Sequence, residues 1–373
     1  MRVQVIDPSA FTPPYDHALC AALAAAGADV ELVTSRFGYG PVPSGDGAYA
    51  VSERFYRWAP GAPGSRPRLA AKLVQHVPDM LAWRRHAAAA DILHFQWLTV
   101  QPLDVHLLPR ARRHGGPRPV LLTAHDVIPR EPRRGQVAAQ RRLYERVDAV
   151  IVHSRHGARR LTDELGVDPA RVHVIAHGAF DHLAVQSGEV PLDAELGAVE
   201  KPVVLCFGLL RPYKGIDVLL RAWAGISDAE LWIVGMPRMD LEPLRAMAPP
   251  GVRFVPRFVT DPEIPALFRR ADLVVLPYRE IDQSGVLFTA LAFGRPLLLS
   301  DVGGFGEVAA TGAAELVAPG DAGALHEALV RLIGDPGRRA QLAAASRTAA
   351  EGPYSWDAIG RQTVALYERL LAR

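Results

Sequence analysis

Short apolar runs alternate with longer stretches of helical spacing along almost the whole chain. Residues 2–6 read as a strand, residues 16–26 carry apolar side chains at helical spacing and end at Gly27, and residues 30–34 read as a second strand. Residues 92–97, 120–125 and 149–154 are further strand-like runs, with a helical stretch at 136–147. Apolar runs separated by helical stretches predict a parallel sheet covered on both faces. The rhythm breaks at residues 186–202, where Gly188, Pro191, Gly197 and Pro202 mark a linker. It then restarts, with strands expected at 203–207, 231–234, 252–255, 273–277, 296–300 and 315–317, and helices at 216–223, 262–270, 286–293 and 322–333.

The expected architecture is therefore α/β: two consecutive doubly wound, Rossmann-like domains, residues 1–188 and 200–354. A chain of 373 residues is too long for one ordinary core, which agrees with two. Two such halves leave a cleft between them, and ligands of open α/β sheets bind beyond the carboxyl ends of the strands. Chemistry is thus expected in strand-to-helix loops.

Composition changes this picture little. Hydrophobic residues are 49% and charged residues 22%, and a net charge of +2 gives no reason to expect nucleic acid as a partner. Arginine supplies nearly all positive charge; the only lysines are Lys72, Lys201 and Lys214. Cys20 and Cys206 fall in apolar patterns and read as buried thiols, with no disulfide framework or metal site. The start, MRVQVIDPSA, reads as strand and turn rather than a signal peptide, and no apolar run is long enough to cross a bilayer. The expectation is a cytoplasmic protein that at most lies against the inner membrane face.

Three loops could carry chemistry. In FGLLRPYKGIDVLL, residues 207–220, an apolar strand ends at Gly208, two cations follow at Arg211 and Lys214, and Gly215 opens a helix. A helix start supplies free N–H groups and a positive dipole end; Arg211 adds a planar fork and Lys214 a compact charge, a set suited to a diphosphate. A solvated loop with cations three apart is the competing reading. In LPYREIDQSGVLFTALAFGRP, residues 276–296, Gln283, Ser284 and the N–H groups after them, from Gly285 and Val286, form a second anion cradle, although Ser284 is equally readable as a helix cap. In LLTAHDVIPRE, residues 121–131, His125 follows a strand in the first domain, where an imidazole can exchange a proton near neutral pH or simply be satisfied by the backbone. Neither a metal-ligand cluster nor an Asp-x-Asp pattern is present in the sequence.

The stretches FGLLRPYKGIDVLL, ADLVVLPY, ALAFGRPLLLSDVGGFGE and YSWDAIGRQTVALYERLLAR, with TAHD, AVIVHS and VIAHG in the first half, resemble family 4 of the retaining glycosyltransferases of GT-B fold. The resemblance implies a nucleotide-diphosphate sugar as donor, an acceptor-side first domain, and a C-terminal helix, residues 355–373, that crosses back onto it. It implies that Arg211 and Lys214 hold the diphosphate and that His125 lies beside the reacting sugar. The reaction implied is hexosyl transfer to a glycan or lipid-linked acceptor, as in polysaccharide synthesis, without a cofactor or catalytic metal. The family's two glutamates, eight positions apart, fall on Ile281 and Thr289; Glu280 and Asp282 flank the first position and read either as its replacement after a shift of one residue or as two solvated loop carboxylates. Thr289 can offer the nucleotide ribose only a hydroxyl. This departure motivates the alternative of a non-catalytic homologue that binds a glycan or a partner; a nucleotide-sugar epimerase is a third reading. DVGGFGE, residues 301–307, reads as a structural turn.

Four other features complete the reading. Asp16 follows Pro13-Pro14-Tyr15 and reads as a helix cap or a residue near the acceptor. Trp97 reads as a core aromatic or a sugar-stacking ring, and Trp356 as a packing anchor. The arginines between Arg110 and Arg146, including Arg112, Arg113, Arg130, Arg133 and Arg134, leave room for contact with an anionic membrane or a phosphorylated acceptor. A solvated helical face is the simpler account of them.

Overall fold

A computed structural model describes residues 1–38, 47–62, 64–128, 132, 134–185 and 188–373. The chain forms two compact units, Met1–Ala176 with Trp356–Arg373, and His177–Ser355. The division precedes the 186–202 segment that the glycines and prolines mark. The reason is packing: His177 stacks on Phe288 at 4.4 Å between ring centroids, and Phe180 N donates to Phe288 O over 3.4 Å. Residues 177–185 thus belong with the second unit rather than with the first, where the expected boundary at 188 puts them.

The first unit holds seven strands: β1 (Arg2–Asp7), β2 (Asp29–Ser35), β3 (Ala50–Phe55), β4 (Ile92–Phe95), β5 (Val120–Thr123), β6 (Ala149–Val152) and β7 (Val172–Val174). They pair in parallel in the order β3-β2-β1-β4-β5-β6-β7. β4, β5 and β6 are fully buried, as helices on both faces require. The helix expected at 16–26 is Pro13–Ala25, because Pro13 suits the first helical position. Its N-cap is Thr12, so Asp16 is not a cap but lies inside the helix, 1% exposed.

The last helix, Trp356–Ala372, also belongs to this unit. Trp356 packs edge-on against Tyr15 at 5.1 Å, and a Cβ on Gly360 would stand 2.5 Å from Ala22 O, so the helix meets Pro13–Ala25 closely. Tyr367 anchors it to the sheet through His94.

The second unit holds six parallel strands: β8 (Val203–Phe207), β9 (Glu230–Val234), β10 (Val252–Val255), β11 (Leu273–Leu276), β12 (Leu297–Ser300) and β13 (Ala314–Val317), in the order β10-β9-β8-β11-β12-β13. Helix Ile216–Trp223 buries every residue except Asp217 and Arg221, which leaves one narrow polar strip. Its core joins Leu231, Ile233, Val275 and Leu298 from the sheet to Leu325, Leu329 and Leu332 of helix Ala322–Gly334. In both sheets the strand order reverses beside the first strand, between β1 and β4 and between β8 and β11. Those are the positions where open α/β sheets leave a crevice.

Among the described residues no helix is long and apolar enough to cross a membrane. The arginines of 110–146 do not form one face: Arg112 donates to Leu371 O, Arg118 to Ala87 O, and Arg141 pairs with Glu145. Arg130, Glu131 and Arg133 lie outside the described residues. Cys20 and Cys206 are buried free thiols, and burial pushes Cys206 up to about 11.

Candidate functional site

In the second unit the two expected loops meet at the switch point. The first leaves β8 at Gly208, makes a 3-10 turn at Pro212–Lys214 and enters helix Ile216–Trp223 through Gly215. Gly215 has φ +66°, and a Cβ there would stand 2.0 Å from Pro277 O. Only glycine fits, because both the backbone conformation and the approach of the second loop forbid a side chain. A Cβ on Gly208 would likewise stand 2.8 Å from Lys214 Nζ and 3.0 Å from Val286 Cγ2.

Arg279 ties the loops together. Its backbone N–H donates to Tyr213 O (2.8 Å), and its guanidinium donates to Pro212 O (3.1 Å) and pairs with Asp217 (2.6 Å). Two arginines, Arg279 and Arg221, face Asp217; their bonds hold its carboxyl below the usual range, against the opposing pull of burial.

Lys214 is 5% exposed. Its ammonium donates to Phe207 O (3.3 Å) and lies 4.9 Å from the centre of the Tyr278 ring. Arg211 is half-buried, and its guanidinium makes no ion pair or hydrogen bond among the described residues. The loop thus presents one cation set into the protein and one forked cation beside it.

The second loop runs from Pro277 to helix Gly285–Ala292. Ser284 holds the N-cap position, yet its side chain makes no cap bond; its Oγ lies 3.4 Å from Tyr278 OH. Gln283 Oε1 accepts from Ser284 N–H at 3.2 Å. Glu280 is exposed, whereas Asp282 is buried, so the two flanking carboxylates are not equivalent. Gly303, with φ +57°, fits against the loop, since a Cβ there would stand 1.8 Å from Ile281 O; Gly304 N donates to Asp282 O. The glycine pair of 301–307 thereby supports the second loop. Thr289 donates its hydroxyl proton to Gly285 O one turn earlier at 3.1 Å, which leaves that oxygen only as an acceptor.

In the first unit His125 sits just past β5. Its ring stacks on Trp97 at 5.0 Å and 12°, and meets Tyr15 edge-on at 4.7 Å. Nδ1 lies 3.3 Å from His153 Nε2, and Nε2 lies 3.2 Å from Gln96 Oε1. His153 Nδ1 faces Ile175 O at 3.1 Å, and burial pushes this histidine down to about 4. A carbonyl only accepts, so neutral His153 carries its proton on Nδ1, and its Nε2 accepts a hydrogen bond from His125 Nδ1–H. The other nitrogen of His125, Nε2, faces Gln96 Oε1, which can only accept.

The network continues inward. Gln96 Nε2 lies 3.3 Å from His94 Nε2, which also meets Thr123 Oγ1 at 2.7 Å, while His94 Nδ1 meets Tyr367 OH at 2.6 Å. Burial, helped by His153, pushes His94 down to about 3. At the end of β1, Asp7 accepts from the backbone N–H groups of Ser9 (3.1 Å) and Phe11 (2.6 Å), organising the loop. Burial raises both Asp7 and its neighbour Asp16.

The structure thus brings together Gly208, Arg211, Lys214, Gln283, Ser284, Gly285 and Val286 around the second unit's switch point. Glu280 points to solvent and Thr289 lies one turn into the helix. Sequence reasoning missed His153 and Asp7. The motif AVIVHS held His153, but nothing in its spacing links it to a residue 28 positions earlier.

Residues 201–335 match the family model described as glycosyl transferases group 1, and residues 14–178 match that of the glycosyl transferase 4-like domain. The chain is 27% identical over 396 residues to a D-inositol 3-phosphate glycosyltransferase of Kineococcus radiotolerans, covering 94% of this chain and 88% of that one. In fold it is similar to sucrose-phosphate synthase from Thermosynechococcus elongatus, with TM-score 0.78, 23% identity and coverage of 100% and 99%. It is also similar to Anabaena HepE in complex with UDP-glucose, with TM-score 0.72, 20% identity and coverage of 99% and 100%.

Proposed function

The chain belongs to the group 1 glycosyl transferases of GT4 type and is a transferase of GT-B fold, and on that premise we propose that it moves a hexosyl group from a nucleotide-diphosphate sugar to a glycan or lipid-linked acceptor, with retention at the anomeric carbon. The observation that carries this reading is the meeting of the 208–215 and 277–286 loops at the β8/β11 switch point, with Lys214 and Arg211 among them.

In this scheme the diphosphate lies against the two cations and the N–H groups at the start of helix Gly285–Ala292. As the bond to the sugar breaks, negative charge grows on the leaving phosphate, and fixed positive groups stabilise that state more than the bound donor. The leaving oxygen takes the proton of the attacking acceptor hydroxyl. His125 orients and polarises sugar hydroxyls through Nε2 and is not a nucleophile. In this scheme Thr289, at the position of the family's ribose-binding glutamate, offers the ribose only a hydroxyl oxygen, and Asp282 takes the place of the first glutamate. No metal ion is given a role.

The structure of HepE holds UDP-glucose, which supports a nucleotide-sugar donor for this fold; the donor is identified by a thermal-shift panel of GDP-, UDP-, ADP- and TDP-sugars, followed by mass spectrometry with candidate acceptors. The deciding variant is Lys214→Ala. It is expected to abolish donor turnover with circular dichroism and melting unchanged in shape, and normal turnover by that variant overturns the proposal.

A further inference from the structure

Beside His125 the first unit has an open cavity of about 200 Å³ at the carboxyl ends of β4 and β5. Its wall carries four side-chain amides, from Gln96, Gln101, Gln136 and Gln140, together with the Thr99 hydroxyl. Phe11 and Trp97 give it an aromatic side, their rings 5.3 Å apart and tilted by 52°. Trp97 is held rigidly, by its N–H bond to Thr12 Oγ1 (2.9 Å) and its stacking on His125. Phe11, in contrast, is 57% exposed and offers a free ring surface at the rim.

Taking the glycosyl-transfer reading above as premise, we propose that this cavity receives an uncharged, hydroxyl-rich ring of the acceptor, a sugar or cyclitol unit that bears no phosphate. A carboxamide is both donor and acceptor, so an array of amides matches vicinal hydroxyls, each of which also donates and accepts. Gln101 sharpens the point. Its Nε2 donates to Gln140 Oε1, and its own Oε1 is buried with no partner among the described residues. If both amides were turned over, the unpartnered atom would be the Gln101 nitrogen instead. A buried polar atom of either kind calls for a partner; a hydroxyl serves both cases once the Gln101 amide turns toward the cavity, because as it stands that atom is closed to solvent.

The apolar C–H face of such a ring packs against Phe11, while its edge meets the amides. A phosphate dianion, by contrast, only accepts, so it leaves the amide oxygens unmatched, and Asp126 also lines the wall. The volume lies below the roughly 300–1,000 Å³ of pockets that enclose drug-sized ligands, which suits a single ring.

The test uses the full chain and two probe sets: uncharged rings (myo-inositol, methyl hexosides) and the same rings as monophosphates. Saturation-transfer NMR and titration are run with and without a saturating nucleotide diphosphate. Uncharged rings are expected to bind, and Phe11→Ala and Gln140→Ala to weaken them roughly ten-fold or more. Phe11 is exposed, so its removal leaves the fold intact if Gln140→Ala does not. Tighter binding of the monophosphates, binding indifferent to both variants, or no binding by either set overturns the proposal. Nucleotide binding in the same samples, with Lys214→Ala as its control, reports separately on the donor side. Its absence, with ring binding retained, sinks the transferase scheme and leaves the cavity's preference standing.

Discussion

The two units reverse strand order at equivalent places, β1/β4 and β8/β11, yet they furnish those places differently. In the second unit the proposed site is made of two short contiguous loops, through glycine backbones in close contact and the cations of the 208–215 stretch. In the first, side chains from β4, from the segments after β5 and β6, and from the last helix form a chain of hydrogen bonds from Tyr367 through His94 and Gln96 to His125 and His153. A site made of backbone fails when a methyl group cannot fit. A site made of imidazoles fails when its protons change.

The largest expected effect is therefore steric and in the second unit. Gly215→Ala places a methyl group 2.0 Å from Pro277 O at φ +66°. The loops must separate, and donor turnover is expected to fall at least about 100-fold, roughly 2.7 kcal/mol of barrier. Gly225 gives the control: φ is +85°, but nothing lies within 4 Å of a new Cβ. Gly225→Ala is expected to cost about 1–2 kcal/mol of stability from the left-handed backbone alone and to keep full turnover. Equal turnover in the two variants, measured with the donor that the panel identifies, breaks the distinction.

The next effect is protonic and in the first unit. His94 and His153 have unperturbed values of 6.5 and are pushed down to about 3 and about 4 by burial. Between 6.5 and those values the unfolded chain binds more protons than the folded one. The stability these residues confer is thus complete above pH 6.5 and lost as pH falls, at about 1.4 kcal/mol per pH unit for each. Asp7 and Asp16, raised by burial, act in the opposite sense. The histidine contribution is accordingly read as a difference: urea unfolding from pH 7 to pH 5 should show a steeper loss in the wild type than in His94→Gln or His153→Gln. Parallel pH curves for all three proteins remove the buried-imidazole account.

The same contrast governs what was legible in the sequence. All six strands of the second unit are among the expected ones, and β8, β10 and helix Ile216–Trp223 fall on their expected residues, whereas helices Glu242–Ala246, Phe305–Ala309 and Pro336–Glu351 are not foreseen. There the apolar runs are buried on both faces and glycine marks the turns. In the first unit the pattern does not show β3, β7, helix Arg66–His86 or helix Gln101–Leu107. β3 is an edge strand with a single buried residue, Phe55, and has no alternation to detect. Helix Arg66–His86 buries only His76, Met80 and Trp83 over 21 residues and contains Pro78, so its stripe is too thin to read as a period. The sites divide in the same way. Arg211, Lys214 and Gly215 are adjacent in sequence, whereas His94 and Tyr367 meet across 273 positions, and no local spacing encodes such a pair.

Ser284 gives the smallest effect and the finest test of a backbone-built site. By sequence it reads as an anion-cradle residue or as a helix cap, and a cap is worth about 1 kcal/mol. It does occupy the N-cap position, but no N–H of the following turn reaches its oxygen. Tyr278 OH, at 3.4 Å from that oxygen, is beyond the roughly 2.5–3.0 Å of a good hydroxyl pair. Removing the hydroxyl therefore takes away little that holds the folded chain together. Ser284→Ala is expected to shift unfolding free energy by less than about 0.5 kcal/mol while raising KM for the nucleotide-sugar several-fold, because the oxygen stands beside the N–H groups proposed to hold the diphosphate. A stability loss near 1 kcal/mol with KM unchanged would return Ser284 to the role of a cap and leave the cradle to backbone N–H groups and the two cations alone.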